Sequence, residues 1–277
     1  MGFTTFIRNC FTMTEVGQWP FPITQHRFKG YWLTVFGKSP KHIGLTQYSG
    51  MGIHRDRSIS VSKALAEYIE RTAFFQDSLQ KEQEFDTVGF AAYPKFPNPS
   101  VAGKIVWRNS YYEAIEKFVV MEFWNNLDVA YRLTHNAGYT FIFPSIENFS
   151  AFVCICIEEI DENGIAVGFA CHDSLQEAME KAKVEVLAHK IGSHNIRQGA
   201  GSDLLVYQKR MEFLMSHGQE AFAWRLAKEG CSQIRIPPIE IDRPIIQDPF
   251  KSHFIHHVRL QDQGKFLDPK VVEVGYV

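Results

Sequence analysis

The stretch "GLTQYSGMGIHRDRSISVSKALAEYIER", residues 44–71, changes character half-way along. Its first part belongs to a β-rich pattern: "YWLTVF" (31–36) and "IGLTQY" (43–48) flank the turn-forming "GKSPKH", which predicts a hairpin. Its second part switches to helical spacing. Ser58 or Ser60 is placed to cap a helix from about Ser60 to Gln80, with Ala64, Leu65, Tyr68, Ile69 and Phe75 as its apolar stripe. On that helix Glu67, Glu70 and Arg71 stand at i, i+3 and i+4 and so share one face.

The same arrangement returns downstream. "SYYEAIEKF" (110–118) places Glu113, Glu116 and Lys117 on a second helix, expected from about Ser110 to Asn125. A third helix, about Ser174 to Ile191, inverts the order, with Lys181 four residues before Glu185. Acid and base at i,i+4 is also the commonest surface decoration of helices and contributes only about a few tenths of a kcal/mol. Here, however, the acids of the first two helices are hemmed in by Leu65, Ala66, Tyr68 and Ile69, and by Ala114, Ile115, Phe118 and Val119. Carboxylates among apolar neighbours need partners, and hard divalent cations such as Mg²⁺ take oxygen ligands and bridge to phosphate.

Strand-like runs separate the helices: "TVGFAAY" (87–93), "GYTFIF" (138–143), "AFVCICIEEI" (151–160) and "IAVGFACH" (165–172), the last two joined by "DENG" with its Asn163-Gly164 hairpin signal. Residues 204–230 read as one or two further helices, and the Pro-rich C-terminal third as short strands. Strand pairs covered by long helices give an α+β layered fold of antiparallel or mixed sheets, without a clean domain boundary across residues 1–277.

The 44–71 stretch resembles the first signature of YcaO-domain proteins, in which a strand leads through Gly-x-Gly into a helix ending E-x-x-E-R. "SYYEAIEKF" is similar to the second signature and "GFACHDSLQEAMEKAKVEVLAHK" (168–190) to the third, in the same order. The likeness covers roughly residues 28 to 210, leaving 211–277 as a C-terminal extension. It implies an enzyme that uses ATP and Mg²⁺ to phosphorylate a peptide-backbone amide oxygen, leaving an azoline, thioamide or amidine. Such cyclodehydratases and thioamide-forming relatives act in ribosomal peptide (RiPP) biosynthesis. By position, Glu67, Glu70, Glu113, Glu116 and Glu185 correspond to the metal-binding glutamates, expected to converge on one cavity. Arg71, Lys117 and Lys181 correspond to the phosphate contacts, the two lysines standing where the pattern has arginine. Lys63, which stands where the family commonly has a small hydroxyl residue, with Ser62 and Ser60 close by, is counted with the nucleotide-binding residues. The resemblance also implies a peptide substrate, a leader-peptide-binding or sulfur-delivery partner protein, and a homodimer among the assemblies to test. No catalytic residue is singled out. The alternative is a non-catalytic module that keeps the helices and recognises a peptide or a partner enzyme.

Composition narrows the classes. The 277 residues are 45% apolar, enough for a true core, and the net charge of −2 gives no overall basic field for nucleic acid or anionic membrane. Five cysteines without CxxC spacing argue against a disulfide scaffold or a zinc knuckle and fit a reducing cytoplasm. Met1-Gly2 lacks the Ser or Thr that a myristoylation signal needs at Phe6. "HFIHHVRL" (253–260) reads as solvated histidines alternating on a strand. "GAGSD" (199–203) reads as a turn ending in a helix cap, and Cys171-His172, which as adjacent strand residues point to opposite faces, as a buried thiol beside a histidine of the kind the third signature carries.

Overall fold

The computed structural model describes residues 23–37, 49–76, 88–95, 98–124, 131–136, 138–143, 150–199, 213–220, 222–223, 239–243 and 253–260. The elements alternate as an α+β chain. Strands β1 (Ile23–Phe28), β2 (Tyr31–Gly37) and β3 (Ser49–His54) lead into helix α1 (Arg57–Gln76). Strand β4 (Val88–Pro94) and helix α2 (Pro99–Trp124) follow, then β5 (Tyr131–His135), β6 (Gly138–Phe143), β7 (Phe152–Glu159) and β8 (Ile165–His172). Helix α3 (Leu175–Gly199), β9 (Ile239–Arg243) and β10 (His253–Leu260) complete the order. Residues 213–220 and 222–223 are helical. The strands form three sheets, β1-β2-β3, β4-β10-β9 and β5-β6-β7-β8. The first and last are antiparallel throughout.

The chain divides into two compact units: Met1–Glu84 with Gly89–Tyr111 and Ile241–Val258, and Phe85–Val88 with Tyr112–Glu240 and Arg259–Val277. In the first unit α1 lies on the β1-β2-β3 sheet, and Phe36, Leu65, Tyr68, Ile69 and Ile255 form the apolar cluster. Ser60, fully buried, joins helix to sheet through Thr34 Oγ1 at 2.7 Å, and its hydroxyl lies within hydrogen-bond reach of the Gly52 and Trp32 carbonyls at 2.8 and 3.0 Å. In the second unit the four-stranded sheet is covered on both faces. Ile115, Val119 and Phe123 of α2, with Leu214 and Phe222, pack against Phe141, Ile155 and Val167. On the opposite face Ala178, Ala182 and Val186 of α3 meet Cys154, Cys156, Ala166 and Ala170. Burial on both faces explains why β7 and β8 read as nearly continuous apolar runs instead of alternating ones.

The termini of the helices differ from the sequence reading in instructive ways. Asp56, and not Ser58 or Ser60, caps α1: its Oδ1 accepts from the Ser58 and Ile59 amides at 2.7 and 3.2 Å. The Ser58 hydroxyl and these amides hold the Asp56 carboxyl below its usual range. Helix α2 begins at Pro99, well before Ser110, because Asn98 caps it and a proline at the first helical position has no amide left to satisfy. Ser174 does cap α3, accepting from the Glu177 amide at 3.4 Å. The strand that follows β2 in sequence and pairs with it is Ser49–His54; residues 43–48 and 200–203 lie outside the described residues. Strand β5 is exposed along nearly its whole length and carries no buried alternation.

Candidate functional site

In the first unit α1 sits unusually close to β3. A Cβ built on Gly50 would lie 1.9 Å from the Ala64 carbonyl oxygen, and one on Gly52 2.0 Å from that of Ser60. Only glycine allows this approach, which brings the helix within reach of the outer edge of the sheet. There Glu67 accepts a hydrogen bond from the Met51 amide at 2.7 Å, and Glu70 accepts one from the Ala92 amide of β4 at 2.6 Å. Both carboxylates are half-buried. Strands β3 and β4 each lie at the edge of a three-stranded sheet.

The second unit repeats the device. Gly168 of β8 would place a Cβ 2.1 Å from the Ala182 carbonyl oxygen of α3. Strand β8 is an edge strand, and three of its alternate amides are taken by side chains. Val167 N–H goes to His189 Nδ1 at 3.0 Å, Phe169 N–H to Glu185 at 3.0 Å, and Cys171 N–H to Glu116 of α2 at 3.0 Å. Glu185 and His189, one helical turn apart, match the two-residue repeat of a strand running alongside. Glu116 and Glu185 are thereby brought to one edge of one strand. Burial lowers the His189 pKa to about 4, so the ring is neutral and can accept from an amide.

The remaining residues of the predicted site fall as follows. Glu113 is paired with Lys117 at 2.7 Å, both half-buried on α2. Lys63 and Lys181 are exposed on α1 and α3. Arg71 lies within α1, with its side chain outside the described residues. The thiol of Cys171 is buried and its pKa raised by that burial and by the Glu116 carboxylate, so it is an inert core group. The reading of solvated histidines at 253–260 is corrected: His253 and His256 are buried, and His256 hydrogen-bonds Ser110 and stacks on Tyr111 at 5.9 Å. The side chain of His257 lies outside the described residues. Beside His256, within the first unit, is a cavity of about 680 Å³ lined by Lys104, Trp107, Arg108 and Phe254. The only hint of it in the sequence is the tryptophan beside a cation on a helix. Among the described residues no helix is long and apolar enough to cross a membrane.

The arrangement offers carboxylate oxygens held by backbone amides, with lysines on the same helices. Hard oxygen donors suit Mg²⁺ and Ca²⁺, and the adjacent cations suit phosphate. The fold has counterparts among solved structures. The chain folds as YcaO proteins do. It is similar to the YcaO of Methanopyrus kandleri, a structure bound with AMPPCP and Mg²⁺, at 12% identity and a TM-score of 0.55, over 99% of this chain and 93% of that one. It is also similar to a chain of the E. coli microcin synthetase McbBCD complex with pro-MccB17 bound, at 11% identity and a TM-score of 0.57, over 94% and 97%. A second McbBCD structure gives 11% identity and a TM-score of 0.55, over 80% and 78%. No family model and no curated protein matches the sequence. The likeness is therefore one of fold, and it agrees with the α+β, YcaO-like architecture expected from the three signatures.

Proposed function

We propose that this protein activates a peptide-backbone amide by ATP- and Mg²⁺-dependent O-phosphorylation, as a YcaO-type enzyme of ribosomal peptide modification. The observation that carries the reading is the orientation of the acids: four of the five glutamates named from the sequence each accept a strand amide at 2.6 to 3.0 Å. A long flexible carboxylate fixed in this way loses little further entropy on taking up an ion, which is what a preorganised ligand requires. Glu67, Glu70, Glu113, Glu116 and Glu185 would hold Mg²⁺, and Arg71, Lys63, Lys117 and Lys181 would contact phosphate.

ATP, when bound, supplies the phosphoryl group that makes the amide oxygen a leaving group. The residues of the chain act by position and charge, which is most of what phosphoryl transfer asks of a protein. The carboxylates fix cations, and the lysines add point charges at the phosphates. A lysine lacks the bidentate fork of arginine, so ground-state binding is kept while charge developing on the moving phosphoryl group is followed less closely. Turnover by the isolated protein is accordingly slow and rises when a peptide substrate or partner protein is added.

The test is phosphate release from Mg-ATP with and without a co-expressed peptide, together with mass spectrometry for loss of water or exchange of oxygen for sulfur. Lys117→Arg keeps or raises turnover and Lys117→Ala lowers both binding and turnover. Absence of phosphate release above background, unrestored by Lys117→Arg, would leave only the non-catalytic binding module.

A further inference from the structure

The second unit holds another donor group, on the α3-covered side of the four-stranded sheet and chemically unlike the glutamate set. His135, Cys156 and Glu158 place a ring nitrogen, a thiol sulfur and a carboxylate oxygen all within 4.8 Å of one another. The register shows how. His135 of β5 is opposite Gly138 of β6, which is opposite Glu158 of β7, so a row crosses three strands with no side chain in the middle. Neighbouring strands are about 4.8 Å apart, and the long His and Glu side chains therefore reach toward each other over the gap that glycine leaves. Gly138 is required there: a Cβ would lie 2.0 Å from the Ile157 carbonyl oxygen. Cys156, two residues from Glu158 and on the same sheet face, closes the group from below and is fully buried.

We propose that His135, Cys156 and Glu158 form a binding site for one zinc ion, or a borderline-soft divalent ion of the same class. His135 Nε2 is 4.0 Å from Cys156 Sγ. In a tetrahedral site with zinc–sulfur about 2.3 Å and zinc–nitrogen about 2.0–2.1 Å, those two atoms stand about 3.6 Å apart, so little movement is needed. One nitrogen, one thiolate and one carboxylate is a donor set that zinc accepts and Mg²⁺ does not favour. Three protein ligands leave a fourth position, and Thr140 Oγ1, 3.3 Å from His135 Nε2 and 3.6 Å from Cys156 Sγ, borders it.

Glu158 is also bonded to Lys190 of α3 at 2.7 Å. The ion takes over from that ammonium, so Lys190 competes with it for the carboxylate. Burial raises the Cys156 pKa and the Glu158 carboxylate adds to the rise, while the Thr140 hydrogen bond and the charges of Lys183 and Lys190 oppose it. The thiol gives up its proton to solvent as the ion binds. The site uses none of the residues assigned to nucleotide and is independent of that assignment.

The experiment is titration of the full-length protein, stripped by chelator, with Co²⁺ followed by Zn²⁺. The expected result is one equivalent per chain, a thiolate-to-cobalt charge-transfer absorption, and its loss on adding zinc but not on adding Mg²⁺ with ATP. Outer-shell changes already cost roughly 10–100-fold in metal affinity, so loss of a ligand in His135→Ala or Cys156→Ser should weaken binding by about a hundredfold. Lys190→Met tightens it, and Glu67→Gln leaves the absorption unchanged. If Cys156→Ser does not fold, the wild-type spectrum and His135→Ala decide. No charge-transfer band at stoichiometric Co²⁺, or a band undiminished in His135→Ala, overturns the proposal.

Discussion

The β3–α1 and β8–α3 pairs are two versions of one design, position for position. Gly50 and Gly168 meet the carbonyls of Ala64 and Ala182 and the amides of Tyr68 and Val186. His54 and His172 each accept, at Nδ1, the amide two residues on, at 2.8 and 3.1 Å. Glu67 lies as far beyond Gly50 as Glu185 beyond Gly168, and each bonds the amide directly after its glycine. The interiors differ. Where the first pair has Gly52 and the buried hydroxyl of Ser60, the second has Ala170 and Ala178 in an apolar layer. The second carboxylate differs too: Glu70 comes from the same helix and turns to β4, whereas Glu116 comes from α2 and turns to β8. Packing chemistry has thus varied while a glutamate on a strand amide has been kept in both, which separates what holds the helix down from what is presented at the edge.

The most severe way to break either version is to fill its glycine. Gly50→Ala and Gly168→Ala force a methyl to within about 2 Å of helix backbone, which no side-chain rotation relieves. Each should cost about 4 kcal/mol or more, in the range reserved for gross steric conflict. Urea unfolding gives the cost, and amide exchange should show protection lost over α1 for Gly50→Ala and over α3 for Gly168→Ala. A change under about 1 kcal/mol in either would mean that the close approach is not required.

Acid sharpens the contrast, because His189 has its counterpart at Arg71 and so titrates only in the second version. Its folded pKa of about 4 lies below the unfolded value of 6.5, chiefly through burial. Between pH 6.5 and 4 the unfolded chain therefore takes up a proton that the folded chain refuses, and stability falls with pH by at most about 3 kcal/mol. His189→Gln keeps an acceptor for the Val167 amide and has no such proton. Its stability should be flatter over that window than that of the wild type. Equal slopes in the two proteins would show that His189 is not held neutral.

The parts of this design that were legible in the sequence are those set by short-range rules. Helix faces and the β7–β8 hairpin at Asn163-Gly164 follow from period and turn chemistry. The helix caps were not legible. At α1 two serines stood closer to the apolar stripe than Asp56, yet Ser60 was drawn inward by the carbonyls of Trp32 and Gly52. The glutamates were expected to be partnered by cations alone. That edge-strand amides are partners as well depends on sheet order, which no local pattern carries. For the same reason no local pattern links His135, Cys156 and Glu158, which come together only through the register of three strands. The buried state of His253 and His256 likewise depends on β10 lying between β4 and β9 in its sheet.

The smallest structural perturbation is the one that bears most on function. Glu67→Gln and Glu185→Gln retain a carbonyl oxygen for the Met51 and Phe169 amides, so each strand edge stays sealed. What is lost is the charge, and a neutral acceptor in place of an ionised one should lower stability by about 1 kcal/mol or less. If the carboxylates serve only to cap edges, nothing else changes. If they hold Mg²⁺, the rise in melting temperature that Mg-ATP gives the wild type, by binding the folded state alone, shrinks in both variants. Glu113→Gln, which disturbs the Lys117 pair instead of a strand amide, should shrink it as well. Thermal unfolding with and without Mg-ATP compares all three proteins with the wild type. A nucleotide-dependent rise that survives intact in Glu67→Gln and Glu185→Gln would assign the shared glutamates to architecture, and the nucleotide would have to be sought elsewhere on the chain.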